Sequence, residues 1–154
     1  MNQLAVQVRE IPLDIETCRG ERLQAQLFLH DFGQHGPERL LQRLNDSELF
    51  LPLRVNGQVQ LMRKGAILRM SSPHPLQEVT ELRQLGVPQA NVQILLDQDR
   101  RISGSVFLLM PSTRNRVSDV LNGPDQFLLV ETALEITILN KDGIDAVLPL
   151  EGSL

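Results

Sequence analysis

The sequence predicts a mainly β protein with short helices: two tandem, pseudo-symmetric, small antiparallel β-barrel-like modules, each carrying one short helix. Three observations predict it. Leu44, Asn45, Phe50, Leu51, Lys64 and Ile67 recur 77 positions later as Leu121, Asn122, Phe127, Leu128, Lys141 and Ile144, and a spacing held this way marks an internal duplication. Upstream, Ile15, Arg22, Leu27 and Phe28 recur at an offset of 79 as Ile94, Arg101, Val106 and Phe107. The slip between the two offsets falls among Gly33, Gly36 and Pro37, residues of a surface loop that tolerates insertion. Finally, each copy holds short alternating apolar runs punctuated by turn residues, the pattern of a small, bent antiparallel sheet. The copies span residues 11–70 and 90–149, with a connector at 71–89.

The elements follow in order. In the first copy, residues 15–18, the turn Arg19-Gly20-Glu21 and residues 22–29 read as a β-hairpin, with Gly20 supplying the positive φ of a tight turn. Leu23, Ala25, Leu27 and Leu29 alternate with Gln24, Gln26 and Phe28, giving one apolar face. The counterpart runs from 92 to 96, turns at Asp97-Gln98-Asp99, and continues from 101 to 109. A short helix comes next: residues 37–44 align Leu40, Leu41 and Leu44, with Pro37 in the first turn, and residues 115–121 align Val117, Val120 and Leu121. Asn45 and Asn122 end these helices, since Asn tolerates the left-handed conformation found past a helix end.

Three further strands complete each copy. The first copy has 49–55, the turn Asn56-Gly57, 59–63 and 66–70; Asn-Gly between apolar alternations is a strong hairpin signal. The second copy has 127–131, 134–139 and 144–148, with a turn at Asn140-Lys141-Asp142-Gly143. In the connector, Leu76, Val79, Leu82 and Leu85 have helical spacing, and Gly86-Val87-Pro88 stops the helix. The predicted core is Ile15, Leu27, Leu29, Leu44, Leu51, Leu53, Val59, Leu61 and their counterparts, related by an approximate two-fold.

Composition narrows the function. With 154 residues and 42% hydrophobic content the chain can build a packed core. Five Phe with no Trp or Tyr leave few stacking platforms, and a net charge of −4 disfavours a phosphate-backbone binder; no nucleic acid is expected. A lone cysteine, Cys18, excludes an internal disulfide. The N-terminal residues lack a basic stretch followed by a long apolar run, and apolar runs such as 106–110 are too short to span a bilayer. The expectation is a cytoplasmic protein with no membrane span.

Chemistry-bearing motifs are sparse. Neither phosphate-binding glycine pattern occurs. His30, Asp31 and His35 flank a glycine loop, but the second copy has no histidine there and a metal needs three or four converging ligands. Cys18 sits near a hairpin turn, where Arg19 and Arg22 could lower its pKa, with no base fixed beside it. Asp97 with Asp99, and Asp14 with Glu16, read as exposed polar edges. The polar cluster of interest is arginine: Arg114 and Arg116 with Arg100 and Arg101 in the second copy, Arg39 and Arg43 in the first. Placed at helix starts, Arg39, Arg114 and Arg116 are the candidate contacts for a small anionic ligand. No catalytic residue, metal or cofactor is expected.

Residues 107–111, then Arg116-Val117-Ser118-Asp119-Val120-Leu121-Asn122, Phe127-Leu128, Ile138-Leu139-Asn140-Lys141-Asp142 and Ile144 resemble an uncharacterised family of small bacterial β-rich domains. Its pattern is Gly-x-x-x-Leu, Arg-x-Ser-Asp-x-Leu-Asn, Phe-Leu and Val-Asn-Lys-x-x-Ile. The first copy departs from it, with Leu41-Gln42 for Ser118-Asp119 and Arg63-Lys64 for Asn140-Lys141. The resemblance implies a fold and a bacterial cytosolic setting, and brings no catalytic residues. The late hairpin, 136–147, is loosely similar to that of Sm-like small barrels, although those carry their helix before the first strand.

A duplicated β unit without a catalytic constellation predicts a non-enzyme: a protein–protein interaction module, as adaptor or subunit of a bacterial cytoplasmic assembly, with protein partners or further copies of itself. The alternative is a sensor holding a small anionic ligand or nucleotide between the modules, with Arg39, Arg114 and Arg116 as contacts.

Overall fold

The computed structural model describes residues 7–31, 39–97, 99–109 and 116–150. Its elements form where alternation and turn chemistry place them. β1 (Gln7–Thr17) and β2 (Arg22–Asp31) are joined by a turn in which Gly20 has φ 86°, a conformation that costs glycine nothing. Along β2, Ala25, Leu27 and Leu29 are buried while Gln24 and Gln26 face out. The short helix α1 (Leu40–Leu44) precedes β3 (Phe50–Val55) and β4 (Gln58–Arg63). Asn56 and Gly57 between these strands both have positive φ, 51° and 78°, as a tight two-residue hairpin turn requires. A 3-10 turn at Lys64–Ala66 leads into β5 (Ile67–Ser71).

The connector helix α2 (Gln77–Gln84) inserts Leu76 and Val79 into the core and leaves Leu85 exposed. Then come β6 (Gln89–Leu96), β7 (Arg101–Phe107), α3 (Val117–Leu121), β8 (Phe127–Glu131), β9 (Ile136–Asn140), a 3-10 turn at Lys141–Gly143 and β10 (Ile144–Pro149).

Among the described residues the strands form one antiparallel sheet of ten, in the order β10-β6-β7-β8-β9-β5-β1-β2-β3-β4. The fold is therefore mainly β, with short helices. It departs from the expected barrel-like modules, because the sheet does not close: β10 and β4 are its two ends. Its halves are continuous through a pairing of β5 with β9, in which Met70 faces Ile138 and Ser71 faces Thr137. Periodicity along a strand says nothing about which distant strand lies beside it, and this junction is non-local.

Registers in the two halves coincide at the offsets of the sequence. Ile15 pairs with Leu23 and Ile94 with Ile102; Leu27 pairs with Leu53 and Val106 with Val130; Phe50 pairs with Arg63 and Phe127 with Asn140. Even the irregularity in β1–β5, where Glu16 faces Arg69 and Thr17 faces Ile67, recurs in β6–β10, where Leu95 faces Ala146 and Leu96 faces Ile144.

Two apolar clusters support this sheet. One gathers Leu13, Ile15, Leu27, Leu29, Leu40, Leu44, Leu51, Leu53 and Met70 from the first half, and also takes in Phe107, Phe127, Leu129 and Ile138 from the second. The other holds Val92, Ile94, Val106, Val117, Leu128, Val130 and Leu139. Phe127 and Leu128 thus point to opposite faces of β8, into different clusters, as the pleat dictates. Each fully buried aliphatic or aromatic side chain contributes about 1.5–3 kcal/mol.

Two details differ from expectation. Val59 and Leu61, predicted for the core, are exposed, because among the described residues β4 ends the sheet and nothing packs over this face. Asn45 and Asn122 have φ −98° and −89°, so neither is left-handed. Asn45 is held by a different bond: its Oδ1 accepts from Phe127 N at 2.8 Å and its Nδ2 donates to Phe127 O.

Candidate functional site

The two open edges of the sheet are built differently from its interior. Among the described residues nothing packs over the apolar side chains on the outer face of β3 and β4. Phe50 is 49% exposed, Val59 59% and Leu61 69%, and the register sets all three on one face. At the other end, Leu148 of β10 and the adjoining Leu150 are also exposed. Edge strands present a row of backbone donors and acceptors, and proteins usually blunt them with lysine, proline or a bulge. Within Gln58–Arg63 there is no lysine, proline or bulge, and Arg63 at the strand's end is the one charged side chain; all but Met62 are exposed. An apolar face beside so lightly guarded an edge is a surface that strand addition satisfies.

The end of β4 is tied by hydrogen bonds to α1 and the residues that follow it. Lys64, buried just past β4, donates from Nζ to Arg43 O at 3.1 Å, to Asp46 O at 3.3 Å and to Asp46 Oδ1 at 2.6 Å. Burial alone would raise the Asp46 carboxyl, but hydrogen bonds from Lys64, from Arg43 and from Glu48 N–H prevail and hold its pKa below the ordinary value. In the second half, Lys141 Nζ donates to Val120 O at 2.8 Å, and burial lowers its pKa. The aspartate has no counterpart there, since the matching position is Gly123.

Of the candidate arginines, Arg39 and Arg116 occupy the same place, each preceding its short helix as N-cap. Arg39 forks onto Glu81 of α2, Nε to Oε2 at 2.9 Å and Nη2 to Oε1 at 2.7 Å, and this hydrogen bonding lowers the Glu81 pKa. Its geometry is the planar two-point pairing that suits a carboxylate. Arg39 therefore clasps α1 to α2. Arg116 is exposed and donates from Nε to Asp119 Oδ2 at 3.1 Å. Arg114 lies outside the described residues. Arg43 pairs with Asp46 and Glu48, and Arg100 pairs with Glu16 and Asp97. Each of these described guanidinium groups already faces a carboxylate of this chain.

Other sequence candidates resolve in the same plain way. Cys18 is exposed, with Sγ 3.6 Å from Gly65 O. Partial burial and then the carboxylates Asp97 and Asp142 raise its pKa, the opposite of activation by Arg19 and Arg22. His35 lies outside the described residues, and among those described no group of three His, Cys, Asp or Glu side chains is placed to hold a metal ion. A surface cleft lined by Asp14, Glu16, Arg22, Arg69, Ser71 and Glu135 carries more acid than base, a poor fit for an anion.

Sequence reasoning missed the edge residues. The sequence pattern puts Phe50 and Leu148 at ordinary strand positions, Leu61 in the core and Asn45 at a helix end. The signal that finds them is the offset itself, once buried and exposed counterparts are compared. Comparison with known proteins finds no matching family model, curated protein or solved structure. Among the described residues no helix is long and apolar enough to cross a membrane.

Proposed function

We propose that this chain is a non-enzymatic protein–protein interaction module, an adaptor or subunit of a bacterial cytoplasmic assembly, built from two tandem modules, 11–70 and 90–149, joined by the connector. The observation that carries this reading is the β3–β4 face, where, among the described residues, Phe50, Val59 and Leu61 are exposed beside a strand edge with no partner. A partner adding a strand there gains main-chain hydrogen bonds from the edge and apolar burial from the face. The pairing of the described candidate arginines with carboxylates of the same chain supports a scaffold over an anion sensor.

Affinity capture from bacterial lysate tests the reading, with the full chain and a Val59→Lys/Leu61→Lys variant as baits. The expected result is a protein retained by the unaltered chain and lost with the variant. A turnover activity abolished by one point substitution, together with no difference between the baits, overturns it.

A further inference from the structure

We propose that β4 and β10 are the two halves of a single joint and that the partner at each is a second copy of this chain, β10 of one copy pairing with β4 of the next. This rests on the reading of the open edges as the binding surface, and it names the occupant. The joint already exists once, inside the molecule. β5 pairs with β9, and β5 is to the first half what β10 is to the second, while β9 corresponds to β4. Transferring the internal register to the free edges sets Ala146 against Met62, Val147 against Leu61 and Leu148 against Gln60, in place of Arg69–Leu139, Met70–Ile138 and Ser71–Thr137.

The chemistry of the internal joint is present at the free edges. At the joint, Asn45 receives Phe127 through both its amide atoms. The matching pair is Asn122 and Phe50: the same residue types, with Asn122 exposed and its Nδ2 turned back onto Ser118 O. Asn140 Nδ2 donates to Lys64 O and Ile67 O across the joint. At its equivalent stands Arg63, an exposed donor positioned for Lys141 O and Ile144 O of the next copy. Thr137 Oγ1 donates to Met70 O, and its equivalent, Gln60, carries an amide donor for Val147 O. The apolar residues that the internal joint covers, Phe127, Ile136 and Ile138, match the exposed Phe50, Val59 and Leu61.

The direction of assembly follows from the open sheet. An exact two-fold between the halves would have brought β4 onto β10 in the same act that brought β9 onto β5. They stand instead at opposite ends. A relation that does not close on itself is head to tail, and repeating it gives a ring or an extending sheet. The joint between chains is weaker than the internal one. Internally, Glu16 pairs with Arg69 and with Arg100; the matching positions are Leu95, Ala146 and Glu21, which form no such pairs. Assembly is therefore concentration-dependent.

Sedimentation velocity of the full chain, from low micromolar to the highest soluble concentration, tests the proposal alongside Leu61→Lys and Leu148→Lys. Both positions are exposed, and circular dichroism melts check that each variant folds. The expected result is a series larger than the monomer that grows with concentration, with each variant alone monomeric. An equimolar mixture of the two variants then gives a dimer and nothing larger, because one keeps a good β10 and the other a good β4. A chain monomeric throughout, assemblies untouched by either substitution, or a mixture that stays monomeric overturns head-to-tail pairing. In those cases the capture experiment, with its own variant, still reports whether a different protein takes the edge.

Discussion

Ile138 of β9 is 1% exposed, and Leu61, at the matching position of β4, is 69% exposed. Phe127 and Phe50 differ in the same way, 2% against 49%. The strands themselves share a register and the following 3-10 turn. What differs is the neighbour: β9 has β5 beside it and the first-half cluster over its face, while β4 ends the sheet. An apolar residue in a strand is thus a capacity for burial, and the surroundings decide whether it is used. Under the proposed pairing of chains, covered β9 is the template for what bare β4 accepts.

The contrast can be broken first at its centre. Ile138→Ala is expected to cost about 2–5 kcal/mol, the transfer and cavity cost of a buried aliphatic truncation. Leu61→Ala, measured in dilute solution, is expected within about 0.5 kcal/mol of the unaltered chain, as for ordinary surface changes. Urea denaturation midpoints read both, and equal losses would remove the distinction between covered and bare faces.

A smaller effect separates the two lysines. Lys64→Met strips a buried donor from Asp46 and two carbonyls and is expected to cost about 1–3 kcal/mol. Lys141→Met removes a donor from Val120 O together with a charge that burial already disfavours, so its loss should be smaller; the same denaturation series compares them. Asn45→Ala is expected to cost about 1–2 kcal/mol, because it unpairs the Phe127 backbone. Asn122→Ala should be near neutral in the dilute monomer and should weaken assembly.

The least effect is on acid stability. Asp46 has a lowered pKa in the fold, so its contribution is fully present above the ordinary carboxylate pKa and is lost as pH falls through the lowered one. Asp46→Asn should flatten the acid limb of a melting-temperature profile, with no matching group in the second half, where Gly123 stands. An acid limb unchanged by Asp46→Asn would show that other carboxylates set it.

Much of the fold was legible because local rules carried it. Gly20 and Asn56-Gly57 marked turns that form with positive φ, and the alternation of Ala25, Leu27 and Leu29 gave the buried face of β2. The apolar run 127–131 predicts a strand, and β8 has those bounds. The continuity of one sheet through β5 and β9 was hidden, since strand pairing across the chain leaves no periodic trace. For the same reason Val59 and Leu61 read as core, and Asn45 read as a helix end although its amide crosses to Phe127. The arginine cluster was visible as charge, but the carboxylates that answer it, Glu81 for Arg39 and Asp119 for Arg116, come together only in the fold or along a helix turn.

The most direct test of the joint is its register. In a Cys18→Ser background, one chain carries Leu61→Cys and another Val147→Cys, the positions that match Ile138 and Met70 of the internal pairing. A disulfide needs Cα atoms roughly 4.4–6.8 Å apart, a spacing that facing strand residues meet. Head-to-tail pairing in this register gives a covalent dimer on mild oxidation of the mixture, formed faster than from either chain alone. A disulfide that forms as readily from Leu61→Cys chains alone, or no enhancement on mixing, would contradict it.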